Sequence, residues 1–91
     1  MSVPAELLTL REQIDALDQQ LFSVLAERFK VTAQVGQLKK QHQLPAQDAT
    51  REAQQLEKTA KLAAQTGLDP DFAQRLQRLI LDEVVAQHKL C

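Results

Sequence analysis

The chain has 91 residues, of which 44% are hydrophobic and 25% charged, and its formal net charge is -1. Basic and acidic residues are interspersed, so we expect no nucleic-acid partner, because such a surface needs a basic bias. The single cysteine, Cys91, excludes an intrachain disulfide and suits a cytoplasmic protein. We expect no secretory signal, because the start of the sequence has no basic segment followed by an apolar one. We also expect no membrane association, because the chain has no run of about 18 apolar residues.

The three aromatic residues are all Phe, so a core has to be built mainly from Leu, Val, Ile and Ala on helices. We therefore predict an all-α fold with a single domain over residues 1–91.

The first 41 residues carry the strongest periodic pattern. Apolar residues recur at alternating steps of three and four, which is typical of a long helix that packs along other helices. These positions, called the seam below, are Leu7, Leu10, Ile14, Leu17, Leu21, Val24, Arg28, Val31, Val35 and Leu38. The pattern predicts one helix over residues 4–41, with Ser2 near its cap and Pro4 in its first turn.

The length of this helix predicts a partner chain. About 36 residues make a rod of roughly 54 Å, whereas a compact chain of this size is only about 30 Å across. Because the seam stays apolar to both ends, the overhanging part needs a second copy to cover it. We therefore expect an obligate homodimer.

Two shorter helices are predicted after a polar connector. Asp48 is a good N-cap for a helix over residues 49–65. Asp69 followed by Pro70 is a start signal for a third helix over residues 70–89. The result is a three-helix protomer with one long N-terminal helix.

Arg28 is the only charged residue of the seam. A buried guanidinium needs anionic partners, so it either forms a register-fixing ion pair with another helix or binds an anionic ligand. Arg11 and Lys39 lie beside the seam, and taken singly they are ordinary flanking charges. Arg11 is about 25 Å from Arg28 and about 42 Å from Lys39 along one helix. An antiparallel partner helix would bring its own Arg11 between Arg28 and Lys39, which predicts two basic pockets shared across the interface.

A second charged cluster stands at the start of the second helix. Asp48 is a plain cap, a pocket residue or both, and Arg51 with Glu52 would close the end of a pocket. His88 is either an exposed residue favoured by the helix dipole or a ligand-binding side chain. We expect no metal, because no histidine or cysteine pair has ligand spacing, and we find no nucleophilic triad and no phosphate-binding loop.

Five groups of residues, taken together, carry a resemblance to a known family. They are Leu10-Arg11-Glu12, Ile14-Asp15 with Leu17-Asp18, Leu25-Ala26-Glu27-Arg28, Val35-Gly36-Gln37-Leu38-Lys39, and Pro45 with Asp48-Ala49-Thr50-Arg51-Glu52. From about Leu7 to His88 the chain resembles the all-helical (AroQ-type) chorismate mutases. The resemblance implies an intertwined antiparallel homodimer and an isomerase, an intramolecular transferase that converts chorismate to prephenate in the shikimate pathway of aromatic amino-acid biosynthesis.

The same resemblance implies the roles of the basic residues. Arg28 and Arg11 of the partner subunit would hold the two carboxylates of chorismate. Lys39 would hydrogen-bond the ether oxygen of the breaking bond.

The remaining site residues also follow from the resemblance. Glu52, with the backbone at Asp48, would hold the ring hydroxyl, and Arg51 would support the site. The third helix departs from the family, which often has a small hydroxyl residue where Val84 stands and Gln or Glu where His88 stands. His88 would donate to the ether oxygen only in the right tautomer or when protonated.

The implied reaction explains the lack of a nucleophile. One C–O bond breaks while one C–C bond forms within a single molecule, so no covalent intermediate and no cofactor are needed. Catalysis would come from holding the enolpyruvyl group over the ring and from cations aimed at the ether oxygen.

Three alternatives stay open at this point. An isochorismate pyruvate lyase or an aminodeoxychorismate mutase would use the same fold, although Asp48 with Arg51 and Glu52 favours the mutase over the lyase. A non-enzymatic helical dimerisation module would use Arg28 only as a register device.

Overall fold

The computed structural model describes residues 3–90, so the predicted cap at Ser2 and the cysteine Cys91 lie outside the described residues. Helix α1 spans Ala5–Gln41, α2 spans Ala49–Thr66 and α3 spans Pro70–Leu90. No strand occurs within residues 3–90. The prediction of an all-α chain with three helices and one long N-terminal helix is confirmed, whereas the intertwined homodimer stays a prediction.

The described chain divides into two units, one up to Val31 and one from Thr32 onwards. The first unit consists mainly of the amino-terminal part of α1, whose first turn is closed by bonds from the N–H groups of Leu7 and Leu8 to the carbonyl of Pro4. Most of the large apolar side chains of this helix part are exposed, namely Leu7, Leu8, Leu10, Ile14, Leu17, Leu21, Phe22, Val24 and Val31.

The second unit contains the end of α1 together with α2 and α3, which pack against each other. Its buried apolar residues are Ala63, Ala73 and Leu81. Small residues at two of these three positions allow the helix backbones to approach closely. A hydrogen bond of 3.4 Å from Nε2 of Gln74 on α3 to the carbonyl of Leu56 on α2 also joins the two helices.

Local capping fixes both ends of α2. Oδ1 of Asp48 accepts from the N–H of Arg51 at 3.0 Å, so the predicted N-cap is confirmed. Gly67 ends α2 with φ 84°, a left-handed conformation that glycine adopts without strain, and its N–H donates to the carbonyl of Ala63 at 2.9 Å. The predicted start of α3 at Pro70 is observed.

No helix among residues 3–90 has the length and apolar character needed to cross a membrane.

Candidate functional site

Five of the predicted site residues lie around one small cavity of the second unit. The cavity has a volume of about 50 Å³ and is walled by the end of α1, the connector, the start of α2 and the middle of α3. Its lining residues are Lys39, Ala46, Asp48, Arg51, Glu52, Gln55, Leu81, Val84 and Val85. Two cations and two carboxylates therefore surround the same space, with Val84 and Leu81 supplying an apolar wall.

Lys39 brings its ammonium group to the connector. The residue is half-buried in the last turn of α1, and its Nζ donates to the carbonyl oxygen of Ala46 at 3.1 Å. Ala46 lines the same cavity. Because a single carbonyl uses only one of the three ammonium donors, Lys39 retains donors for a ligand.

Asp48 and Arg51 occupy the amino end of α2. The carboxylate of Asp48 is engaged in capping through the N–H of Arg51, and both residues are exposed and line the cavity. The capping interpretation of Asp48 is thus confirmed, and its place on the cavity leaves the second role open.

Glu52 is the only charged residue buried in the described chain, with a relative exposure of 8%. Its Oε1 accepts from Nη2 of Arg78 at 2.6 Å and, more weakly, from Nε2 of Gln47 at 3.5 Å. Its Oε2 is also buried and has no hydrogen-bond partner among residues 3–90. A buried carboxylate oxygen without a donor is costly, so Oε2 is an acceptor suited to a ligand's hydroxyl or amino group.

Arg78 is a residue that sequence analysis missed. It connects Glu52 on α2 with Asp82 one turn further along α3, where Nε and Nη2 both approach Oδ1 at 3.0 Å. The hydrogen bond to Glu52 raises the pKa of Arg78, Asp82 adds to this rise, and partial desolvation opposes it. The sequence held only the helical spacing of Arg78 and Asp82 as a signal, and nothing local linked Arg78 to Glu52.

His88 does not line this cavity but contacts the end of α1. Its Nε2 lies 2.8 Å from the carbonyl oxygen of Thr32. Since a carbonyl only accepts, Nε2 carries the proton. Nδ1 is buried without a hydrogen-bond partner among the described residues. Gly36 makes room for the ring, because an added Cβ at this position would lie 2.7 Å from Cδ2 of His88.

Arg11 and Arg28 belong to the first unit. Arg11 is exposed and Arg28 is half-buried. Their predicted meeting with Lys39 across a dimer interface stays a prediction. Within residues 3–90, no three His, Cys, Asp or Glu side chains are grouped in a way that would hold a metal ion.

The helices and the cavity define a class of protein, an all-helical domain in which a small cavity is lined by cations and carboxylates from the end of α1 and the start of α2. Comparison with known families makes this more specific. The family model for chorismate mutase type II matches residues 10–89. The chain therefore belongs to the chorismate mutase type II family.

Individual relatives agree with this family. The chain is 38% identical over 79 residues to a T-protein of Enterobacter agglomerans, a match that covers 87% of this chain and 21% of the relative. It is 40% identical over 85 residues to a bifunctional chorismate mutase/prephenate dehydratase of Escherichia coli (strain K12), which covers 92% of this chain and 22% of the relative. It is also 34% identical over 74 residues to a 4-amino-4-deoxychorismate mutase of Streptomyces pristinaespiralis, with 81% and 57% covered. The chain thus spans about a fifth of the length of the first two relatives.

Proposed function

We propose that the chain catalyses the unimolecular rearrangement of chorismate to prephenate, a step of aromatic amino-acid biosynthesis. The observation that carries this proposal is that Lys39, Asp48, Arg51, Glu52 and Val84 line one cavity in a member of the chorismate mutase type II family. The proposed catalysis is electrostatic and positional, without a covalent intermediate and without a cofactor.

In this proposal the basic residues bind the negative charges of the substrate. Arg28 and Arg11 of the partner subunit hold the two carboxylates, because a guanidinium recognises a carboxylate in a bidentate manner. Lys39 donates to the ether oxygen, where negative charge grows as the C–O bond breaks. The ammonium group is already held beside the cavity by its bond to Ala46, so little reorganisation is needed.

The other end of the substrate is its ring hydroxyl. Glu52 accepts from this hydroxyl through Oε2, and Asp48 contributes its backbone, with Arg51 supporting the amino end of α2. Val84 packs against the substrate without a polar contact. His88 donates to the ether oxygen only after the hydrogen bond from its Nε2–H to the carbonyl of Thr32 has been broken.

Two observations support the proposed antiparallel homodimer. The cavity of about 50 Å³ is far smaller than the roughly 300 Å³ at the lower end of small-molecule pockets, so further walls are needed. The apolar seam residues of the first unit are also exposed, with Leu17 exposed to 61% and Val24 to 64%. A continuous apolar surface of this length is typical of a protein interface. The cytoplasmic location stays a prediction from the sequence.

The relative from Streptomyces pristinaespiralis supports a second candidate, the corresponding rearrangement of 4-amino-4-deoxychorismate. The two substrates differ at the group that we assign to Glu52, and a carboxylate accepts from a hydroxyl or from an amino group.

The test is to incubate the purified chain separately with chorismate, isochorismate and 4-amino-4-deoxychorismate and to identify each product by chromatography. Prephenate as the main product from chorismate is the expected result. Pyruvate from isochorismate would instead indicate the lyase, and a higher kcat/KM with the amino substrate would indicate the second candidate.

Arg28→Leu separates an enzyme from a dimerisation module. In an enzyme this variant loses turnover while the dimer persists, because an anchor of a substrate carboxylate is gone. In a module without a ligand it retains or gains stability, because replacing a buried ion pair by an apolar residue is often neutral or favourable. The rate of prephenate formation measures turnover, sedimentation measures the dimer, and urea denaturation measures stability.

A further inference from the structure

Arg78 and Glu52 form an ion pair whose two members face different surroundings. Glu52 lines the cavity of the candidate site, whereas Arg78 lines a neighbouring open groove with Leu56, Gln74 and Arg75. Arg78 therefore reaches the site only through the carboxylate that it holds.

The two oxygens of Glu52 are used differently. Oε1 is bound by the guanidinium at 2.6 Å, whereas Oε2 is buried without a partner among residues 3–90. One cation on one oxygen fixes the plane and the rotamer of the carboxylate, and it compensates the burial of the charge. The other oxygen is left as a pre-oriented acceptor.

Arg78 is itself held in place from its own helix. Asp82 accepts from the same guanidinium at 3.0 Å and is largely exposed, so Arg78 keeps an anionic partner even when Glu52 is removed. The influence of Arg78 on Glu52 can therefore be measured separately from its ion pair with Asp82.

We propose that Arg78 is a positioning residue for substrate recognition, which holds Glu52 so that Oε2 accepts a hydrogen bond from the ring hydroxyl of the substrate. This inference rests on the proposed rearrangement of chorismate. Arg78 does not touch the substrate. Because the hydroxyl takes no part in bond making or breaking, its contact with Glu52 is the same in the ground state and in the transition state.

This role predicts a specific kinetic pattern. Arg78→Gln raises KM for chorismate about 10- to 100-fold, the effect of weakening one hydrogen bond to a charged group, and leaves kcat within about threefold. A purely structural role would instead reduce the folded fraction, which lowers the apparent kcat and leaves KM unchanged. Arg78→Lys retains a cation for Oε1 and is expected to restore KM to within a few-fold of the original.

The decisive experiment is a double-mutant cycle of Arg78→Gln and Glu52→Ala, followed by steady-state prephenate formation, far-ultraviolet circular dichroism and sedimentation. In the Glu52→Ala background, Arg78→Gln is expected to change KM by less than twofold, because its effect passes through Glu52. If Arg78→Gln does not fold alone, Arg78→Lys in the two backgrounds carries the same comparison with a smaller effect.

Two control variants belong to this experiment. Asp82→Asn removes the other partner of Arg78, and Arg75→Gln removes a neighbouring exposed guanidinium that lies 5.8 Å from the ring of Phe72. Both are expected to leave KM unchanged. If the protein is active and Arg78→Gln raises KM equally with and without Glu52, the proposed role of Arg78 is overturned but the proposed function is not. An original chain that forms no prephenate would overturn the proposed function and this inference with it.

Discussion

The two units of the chain solve the problem of burial in different ways. In the unit from Thr32 onwards, two helices pack together, a carboxylate is buried, and its charge is compensated by an arginine of the neighbouring helix. In the unit up to Val31, apolar side chains follow the helix at regular spacing but remain exposed. The unit from Thr32 onwards thus pairs its buried charge internally, whereas the unit up to Val31 has an apolar surface that no described residue covers.

The comparison shows that the part of the sequence with the most regular pattern is not the part whose side chains already have defined tertiary contacts. The seam is the clearest feature of the sequence, but its apolar side chains are exposed, which is why we propose a second copy as its partner. The charged groups near the cavity follow no repeating pattern, but tertiary contacts already hold several of them in defined positions. Four predictions address this difference.

The largest effect is expected from a charge placed on the exposed seam. Leu17→Glu puts a carboxylate into the proposed interface of both copies, which costs several kcal/mol per ion when it is buried without a partner. We expect the dimer to dissociate at micromolar concentration, measured by sedimentation equilibrium. Gln19→Glu adds the same charge on the polar face of α1 and should leave the dimer intact. An unchanged dimer in Leu17→Glu would contradict the proposed interface.

The next effect concerns turnover at the cavity. Lys39→Ala removes the proposed donor to the ether oxygen and is expected to lower kcat about 10²- to 10³-fold, as for the loss of one donor at a developing negative charge. The lost bond to Ala46 should cost only about 1 kcal/mol of unfolding free energy. Lys40→Ala changes the exposed neighbour and serves as the control in the same assay. Turnover near the original value in Lys39→Ala would contradict the proposed role of Lys39 as the donor to the ether oxygen.

A smaller effect is expected where the end of α1 meets α3. Gly36→Ala gains about 1 kcal/mol of helix propensity but places a Cβ 2.7 Å from the ring of His88, and overpacking costs about 1–3 kcal/mol. We expect a net destabilisation of about 1 kcal/mol in urea denaturation. In the His88→Ala background the same change should stabilise by about 1 kcal/mol. The same sign in both backgrounds would show that the ring does not determine the need for glycine.

The smallest effect concerns the cap of α2. Asp48→Ala is expected to lower the free energy of unfolding by about 1 kcal/mol, because the N–H of Arg51 loses its acceptor. Asp48→Asn should change the free energy of unfolding by only a few tenths of a kcal/mol, because asparagine caps about equally well. Thermal or urea unfolding of both variants distinguishes them, and equal losses would mean that the charge, not the cap, is what stabilises this end.

The sequence determined those features that depend on neighbouring residues. The long helix followed from the 3–4 spacing of the seam, and the starts of α2 and α3 followed from Asp48 and from Asp69 with Pro70. Each of these signals acts within one or two turns, so no knowledge of the packing is needed. The spaced set of residues also gave the family, to which the chain belongs.

Tertiary structure decided the partners of the buried polar groups. The bond from Arg78 to Glu52 joins positions 26 residues apart, and the contact of His88 with Thr32 joins positions 56 apart. Such pairings depend on how far one helix slides and turns against another and on which rotamers then fit, and neither is encoded within a single turn. The resemblance assigned His88 to the binding site, and that role stays a prediction; only the fold could show that its ring also contacts a backbone carbonyl of α1.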